Sequence, residues 1–191
     1  MNKLCVFCGS SPGTNNIYQR DAMKLGKLLA DNHIELVYGG GSIGIMGVLA
    51  DTVKEFGGKV TGVIPQFLYD KEVGHDGLDN LIIVETMHER KMKMAQLAEG
   101  FLALPGGIGT LEEIFEIFTW TQLRLMKNPV AFLNINGYFD LLFQFLAHTE
   151  KEGFIRNHTS QLLIKIESVD EVIEKMRSYE APNDGLDLSK V

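Results

Sequence analysis

Short apolar runs alternate with segments of helical spacing along the whole chain, and this alternation restricts the fold more than any other feature. The runs 4–7, 35–38, 59–64, 81–84, 101–104 and 130–134 read as strands, several of them stopped by glycine or proline. Segments 18–30, 46–56, 88–98, 110–123 and 138–149 carry apolar residues at helical spacing, and 162–166 with 169–176 complete the series. Strands joined by crossover helices make a parallel sheet covered on both faces. The expected fold is therefore α/β, a doubly wound parallel sheet in a single domain. The chain has 191 residues, a length that suits one domain of roughly 100–200 residues. We set the domain at 1–179 and read 180–191, with its Ala181-Pro182-Asn183-Asp184-Gly185 stretch, as a loose tail. In such sheets ligands bind beyond the carboxyl ends of the strands, near the switch in strand order. The glycine-rich loops all follow strands, so the architecture gathers them on one edge.

Composition narrows the ligand. The formal net charge is −7, which argues against sustained binding to a nucleic-acid backbone. A small anion is still within reach of backbone N–H groups. Hydrophobic residues make up 45% and charged residues 23%, ordinary for a globular protein. No stretch approaches the roughly 18 apolar residues of a membrane span, and the apolar run at the amino terminus is too short for a signal peptide. A cytoplasmic protein is expected. Cys5 and Cys8 have C-x-x-C spacing, but zinc would need two more ligands. A redox pair would sit at a helix start rather than along an apolar strand. Core packing accounts for them better.

The most informative segment is Leu104-Pro105-Gly106-Gly107-Ile108-Gly109-Thr110-Leu111-Glu112-Glu113. Pro105 ends a strand, the glycines let an anion approach the backbone, and Gly109-Thr110 opens a helix whose first N–H groups lack partners. This is an anion cradle built without lysine. Glu112 and Glu113 are read into the first turn. Dipole complementation explains one acid there. A pair beside the cradle suggests a carboxylate that stabilises positive charge or orients a water.

Three further loops belong to the same edge. Tyr38-Gly39-Gly40-Gly41-Ser42-Ile43-Gly44 matches a dinucleotide fingerprint by letter, but Ile64-Pro65 stands where a ribose-binding acid belongs. A tight turn under a ligand is the better reading. Met87-His88-Glu89-Arg90-Lys91 opens a helix at the loop edge, where Arg90 is placed to reach a phosphate, a carboxylate or a purine. Gly9-Ser10-Ser11 follows the first strand and is also placed to touch a ligand. We find no Ser/His/Asp order, no metal-ligand spacing and no coenzyme-lysine signature, so no metal and no cofactor is expected.

The blocks 105–113 and 87–91, with Cys8-Gly9-Ser10-Ser11, Tyr38-Gly39-Gly40-Gly41, Gly44-Ile45-Met46-Gly47 and Val63-Ile64-Pro65, resemble the Lonely Guy (LOG) family over nearly the whole chain. The resemblance implies a Rossmann-like homodimer with sites near the subunit interface. It implies a cytokinin riboside 5′-monophosphate phosphoribohydrolase that takes a small nucleoside monophosphate, with AMP as a further substrate. By position, Gly106, Gly107, Gly109 and Thr110 would hold the phosphate, with Ile108 and Leu111 beside them. Glu113 would be the catalytic carboxylate and Arg90 its essential partner. Lys91, Glu72, Glu112 and Thr119 would contact substrate, as would Gly9, Ser10 and Met87. After Thr119-Trp120-Thr121-Gln122-Leu123 many members continue Gly-x-His, whereas this chain has Arg124-Leu125-Met126. Older labels call the family lysine decarboxylases. Two other classes stay open: a non-catalytic nucleotide sensor or molybdenum-cofactor carrier, which shares the Pro-Gly-Gly-x-Gly-Thr loop and against which the Arg90 and Glu113 pair speaks, and a related nucleotide-processing enzyme with another base or leaving group.

Overall fold

A computed structural model of the chain describes residues 1–156 and 159–181, and only the backbone of Glu72 and Val73. Of the tail expected at 180–191, positions 182–191 lie outside the described residues.

Seven strands form one sheet: β1 (Lys3–Phe7), β2 (Glu35–Tyr38), β3 (Val60–Pro65), β4 (Asn80–Val84), β5 (Phe101–Ala103), β6 (Val130–Leu133) and β7 (Leu163–Ile166). Their spatial order is β4-β3-β2-β1-β5-β6-β7, and every pairing is parallel. The helices are α1 (Ile17–Asp31), α2 (Gly44–Glu55), the short α3 (Gln66–Leu68), α4 (Met87–Leu97), α5 (Ile108–Gln122), α6 (Asp140–Lys151) and α7 (Val172–Arg177). The expected doubly wound parallel sheet is the observed one.

Alternation along each strand divides the core into two layers. Leu4, Val6, Leu36, Tyr38, Leu102 and Leu104 pack on the side of α1 and α2, together with Ile45 and Leu49. Cys5, Phe7, Val37, Phe101, Ala103 and Phe132 pack on the other side with α4 and α5 residues Met94, Ile114 and Phe118. Both strand faces are thus apolar, as a parallel sheet covered by helices requires. Cys5 and Cys8 fall in opposite layers, both thiols free and buried. Burial pushes both thiols up, Glu113 adds to it, and Arg90 opposes. They are core residues and not a redox pair.

Several boundaries differ from the sequence reading. α5 begins at Ile108, with Gly107 as its extended N-cap. Glu112 and Glu113 consequently sit in the second turn, and dipole complementation in the first turn explains neither of them. Residues 66–73, to which the sequence reading assigned no helix, form α3 and a π-turn at Tyr69–Val73. Pro65 can end a strand and still precede a helical turn, because its missing N–H is not needed there.

The chain winds outward from β1 to β4, then returns to place β5 beside β1. The switch point of the sheet therefore lies between β1 and β5. The loops after β1, β2 and β5 and the start of α4 meet above it.

Candidate active site

The cradle is the amino terminus of α5. Its N-cap, Gly107, has φ −88° and ψ −158°, and no side chain caps the helix. Leu111 N–H is already taken by the Gly107 carbonyl at 3.2 Å. The N–H groups of Gly107, Ile108, Gly109 and Thr110 precede that first helical bond, which makes them the donors available to an anion. Gly107 and Gly109 have open space where a Cβ would stand. Gly106 does not: a Cβ there would come within 2.1 Å of Thr110 Oγ1 and 2.8 Å of Gly9 N. Its missing side chain lets the first loop and the cradle close on each other, and Gly9 N–H donates to the Pro105 carbonyl at 3.2 Å.

The second glycine loop contrasts with the first. α2 also lacks a side-chain cap, but Ile45 and Met46 give their N–H groups to the Gly9 carbonyl at 3.0 and 3.3 Å. The helix end that the dinucleotide fingerprint would offer to a pyrophosphate is therefore filled by protein. Gly44 (φ +62°) passes so close to Ser10 that a Cβ would meet its carbonyl carbon at 2.3 Å. The loop is a tight turn supporting Gly9 and Ser10, as the sequence suggested.

Beside the cradle lies a buried ion pair. Arg90 Nη1 donates to Glu113 Oε1 at 2.8 Å, and both residues are 8% exposed. Arg90 Nε donates to the Val63 carbonyl at 3.0 Å, and Nη2 to the Gly39 carbonyl at 3.4 Å. One guanidinium thus ties together the ends of β2 and β3 and the second turn of α5, using the fork geometry that lysine lacks. A Cβ on Gly39 would come within 1.9 Å of Nη2, so this position is glycine to admit Arg90. Met87, one turn earlier on α4, sets its sulfur 4.0 Å from Nη1.

Burial lifts the Glu113 carboxyl above its ordinary value, Arg90 pulls it back, and the Glu112 carboxylate pushes it further up. The net rise means that this carboxylate is ionised at a cost, which suits a group waiting for positive charge. Lys91 Nζ reaches Glu112 and, at 3.1 Å, Glu116. Burial pulls its ammonium down, and the two carboxylates more than reverse that, leaving it held above its usual range.

Direct contacts therefore gather Gly9, Ser10, Met87, Arg90, Gly106, Thr110 and Glu113 at one edge, with Gly107, Ile108, Gly109 and Leu111 beside them in the cradle and Lys91 with Glu112 on its flank. Thr119 is not among them. It is exposed, its hydroxyl donates to the Phe115 carbonyl at 2.8 Å, and it lies roughly 16 Å beyond Ile108 along α5 at about 1.5 Å per residue. The backbone of Glu72 lies in the π-turn, while its side chain is outside the described residues. His88 is exposed. The sequence reading put Gly39 in a turn under the ligand without pairing it with Arg90, and it missed Glu116 and also Tyr138, whose hydroxyl donates to the Gly106 carbonyl at 2.7 Å. A tyrosine following Asn136-Gly137 just after a strand was the one available signal for the last.

An all-parallel sheet with an uncapped helix terminus at its switch point and a buried carboxylate–guanidinium pair beside it defines an α/β protein equipped to hold a small anion next to an ionisable group. The family model described as "Possible lysine decarboxylase" matches residues 46–176. Cytokinin riboside 5′-monophosphate phosphoribohydrolase LOG5 of Arabidopsis thaliana is 41% identical over 184 residues, 96% of this chain and 81% of that protein. The rice (Oryza sativa subsp. japonica) enzyme LOG is 43% identical over 177 residues, 93% of this chain and 73% of that protein. The chain belongs to this LOG family of cytokinin riboside 5′-monophosphate phosphoribohydrolases. Its fold also matches the molybdenum cofactor binding protein of Rippkaea orientalis with a TM-score of 0.71 at 22% identity, covering 92% of this chain and 95% of that one. That is a likeness of fold alone.

Proposed function

We infer that the chain is a phosphoribohydrolase that cleaves the N-glycosidic bond of adenine-type nucleoside 5′-monophosphates, cytokinin riboside monophosphates and AMP, to free base and ribose 5-phosphate. The observation that carries this reading is the buried Arg90–Glu113 pair beside an uncapped helix terminus, in a chain 41–43% identical to named phosphoribohydrolases.

Gly106, Gly107, Ile108, Gly109, Thr110 and Leu111 hold the 5′-phosphate, and Gly9, Ser10 and Met87 border the bound nucleotide. Binding energy from the phosphate fixes the ribose before the bond stretches. As the bond from C1′ to the base nitrogen breaks, its electron pair leaves with the base and positive charge gathers on the sugar. The Glu113 carboxylate stabilises that charge and orients the water whose oxygen bonds to C1′. The leaving base takes up one proton and the attacking water gives one up, leaving a hydroxyl on C1′. Arg90 holds Glu113 in place, while Lys91, Glu112 and Glu72 contact substrate. A lysine held protonated by two carboxylates is poorly suited to imine formation, so the decarboxylase label finds no support in Lys91.

Thr119 suits a site completed by a second copy of the chain, since it is exposed and far from the cradle. Leu123 and Leu125, exposed at the same end of α5, supply apolar surface for a homodimer. Free buried thiols suit a reducing, cytoplasmic compartment, and the net charge of −7 suits a small-molecule rather than a nucleic-acid partner. No helix of the described residues is long and apolar enough to cross a membrane.

The test is to incubate AMP and isopentenyladenosine monophosphate with purified protein and quantify free base and ribose 5-phosphate by chromatography. Release of both products in equal amounts is expected. Tight nucleotide binding with no release would overturn the enzyme reading in favour of a carrier or sensor.

A further inference from the structure

We propose that Tyr138 is a positioning residue that locks the peptide between Gly106 and Gly107, and through it the selectivity of the site for a phosphate-bearing ligand. The inference rests on reading the α5 terminus as the phosphate cradle. Tyr138 Oη donates to the Gly106 carbonyl oxygen at 2.7 Å. No peptide bond among the described residues is cis, so the Gly107 N–H points opposite to that carbonyl across the same peptide plane. Fixing the oxygen on the Tyr138 side fixes the N–H on the other.

Such a lock is needed because both flanking residues are glycine. A peptide flip reverses ψ of Gly106 and φ of Gly107, and φ of Gly107 now stands at −88°. The flipped φ of Gly107 is closed to residues with a side chain and open to glycine. A flip would replace a donor with a carbonyl oxygen at the mouth of the cradle and repel an anion.

Tyr138 is itself firmly held. It follows Asn136 (φ +53°) and Gly137 (φ +70°), two consecutive left-handed residues that turn the chain sharply after β6. The buried Asn134 side chain clamps this turn, accepting from Phe139 N–H at 2.8 Å and donating to Asp140 and Glu167 at 2.9 Å each. The Tyr138 ring packs edge-on against Tyr18 at 5.7 Å and Phe139 at 4.9 Å between centroids. The ring's packing and the hydroxyl's bond are separable, and Tyr138→Phe removes only the second.

The experiment compares wild type and Tyr138→Phe by calorimetric titration with ribose 5-phosphate and, separately, adenosine, alongside AMP kinetics and thermal melts. The expected result is an affinity for ribose 5-phosphate about tenfold weaker, the scale of one well-placed hydrogen bond. KM for AMP should rise in step, with adenosine affinity and melting temperature unchanged. If the variant weakens both ligands alike, or weakens neither while wild type favours the phosphate-bearing one, the lock is refuted and the cradle stands. If wild type itself shows no preference for the phosphate, the cradle reading has failed and the lock falls with it.

Discussion

The Arg90–Glu113 pair lets fold and chemistry be separated by two substitutions. Arg90 donates to three oxygens, those of Glu113, Val63 and Gly39. Arg90→Met keeps the length of the stem and removes every donor. It leaves a carboxylate at 8% exposure without its cation and two strand-end carbonyls without this donor. Removing one partner of a buried ion pair costs roughly 3–5 kcal/mol. For a domain of this size each kcal/mol lowers the melting temperature by about 2–4 °C, so a drop of roughly 6–20 °C is expected. Glu113→Gln is milder. Its amide oxygen still accepts from Nη1, and Arg90 keeps both carbonyls. A loss of about 1 kcal/mol, or roughly 2–4 °C, follows. Turnover should divide the other way, because Glu113→Gln removes the charge that faces the developing cation and should cost about 10²–10³ in kcat. Thermal denaturation followed by circular dichroism and chromatographic assay of AMP cleavage measure the two quantities on the same preparations. If Glu113→Gln melts as low as Arg90→Met yet cleaves AMP at the wild-type rate, Glu113 is a structural strut and its assignment to chemistry is refuted.

Three further outcomes are expected. Gly39→Ala puts a Cβ 1.9 Å from Arg90 Nη2; because the end of a long side chain can swing away, the protein should fold while kcat/KM falls by about 10²-fold from misplacement of the pair, and unchanged kinetics would dissociate Arg90 from catalysis. His33→Gly relieves a left-handed residue (φ +56°) at the carboxyl end of α1, where Ile34 N–H bonds the Leu29 carbonyl at 2.9 Å in the manner of a Schellman cap; a gain of about 0.5–1 kcal/mol in denaturant unfolding is expected, and a loss would show that the histidine side chain stabilises the turn by more than its backbone costs. The raised Glu113 carboxyl sets two pH dependences, both governed by burial first. kcat/KM should fall as pH drops through its elevated value, since the ionised form does the work. The native state binds this proton more tightly than the unfolded chain, so wild type should gain stability relative to Glu113→Gln as pH falls from the elevated value to the ordinary carboxylate range; a gap independent of pH would mean that Glu113 is not raised.

The cradle was legible in the sequence because proline and glycine act locally. Pro105, Gly106 and Gly107 announce a strand end and a close backbone approach whatever the rest of the chain does. The start of α5 was not, because an Ile-Gly pair gives no signal that Gly107 rather than a later residue takes the cap, and the two-residue error put Glu112 and Glu113 in the first turn instead of the second. Arg90 read from its own segment only as a cation at the loop edge. Its partners lie 23, 27 and 51 positions away, and only the crossing of α4 over the ends of β2 and β3 makes it a buried strut for Glu113. Tyr138 lies 32 positions from Gly106 and becomes its neighbour only because β6 pairs with β5.

The energetic cost of that ion pair bears on what the fold is for. A nucleotide can be held at a switch point by an uncapped helix and a few glycines, which need no buried charge. Among the described residues this chain adds a guanidinium and a carboxylate at 8% exposure, an arrangement that apolar side chains of similar volume would often match or better in stability. It then raises the cost of ionising Glu113 by placing Glu112 alongside. Arg90 offsets that cost only in part; a cation forming next to Glu113 offsets the rest, and the sugar of a departing nucleobase is such a cation. A carrier that releases its ligand intact gains nothing from the arrangement. The features that weaken the fold are therefore the ones that a binding role alone leaves unexplained.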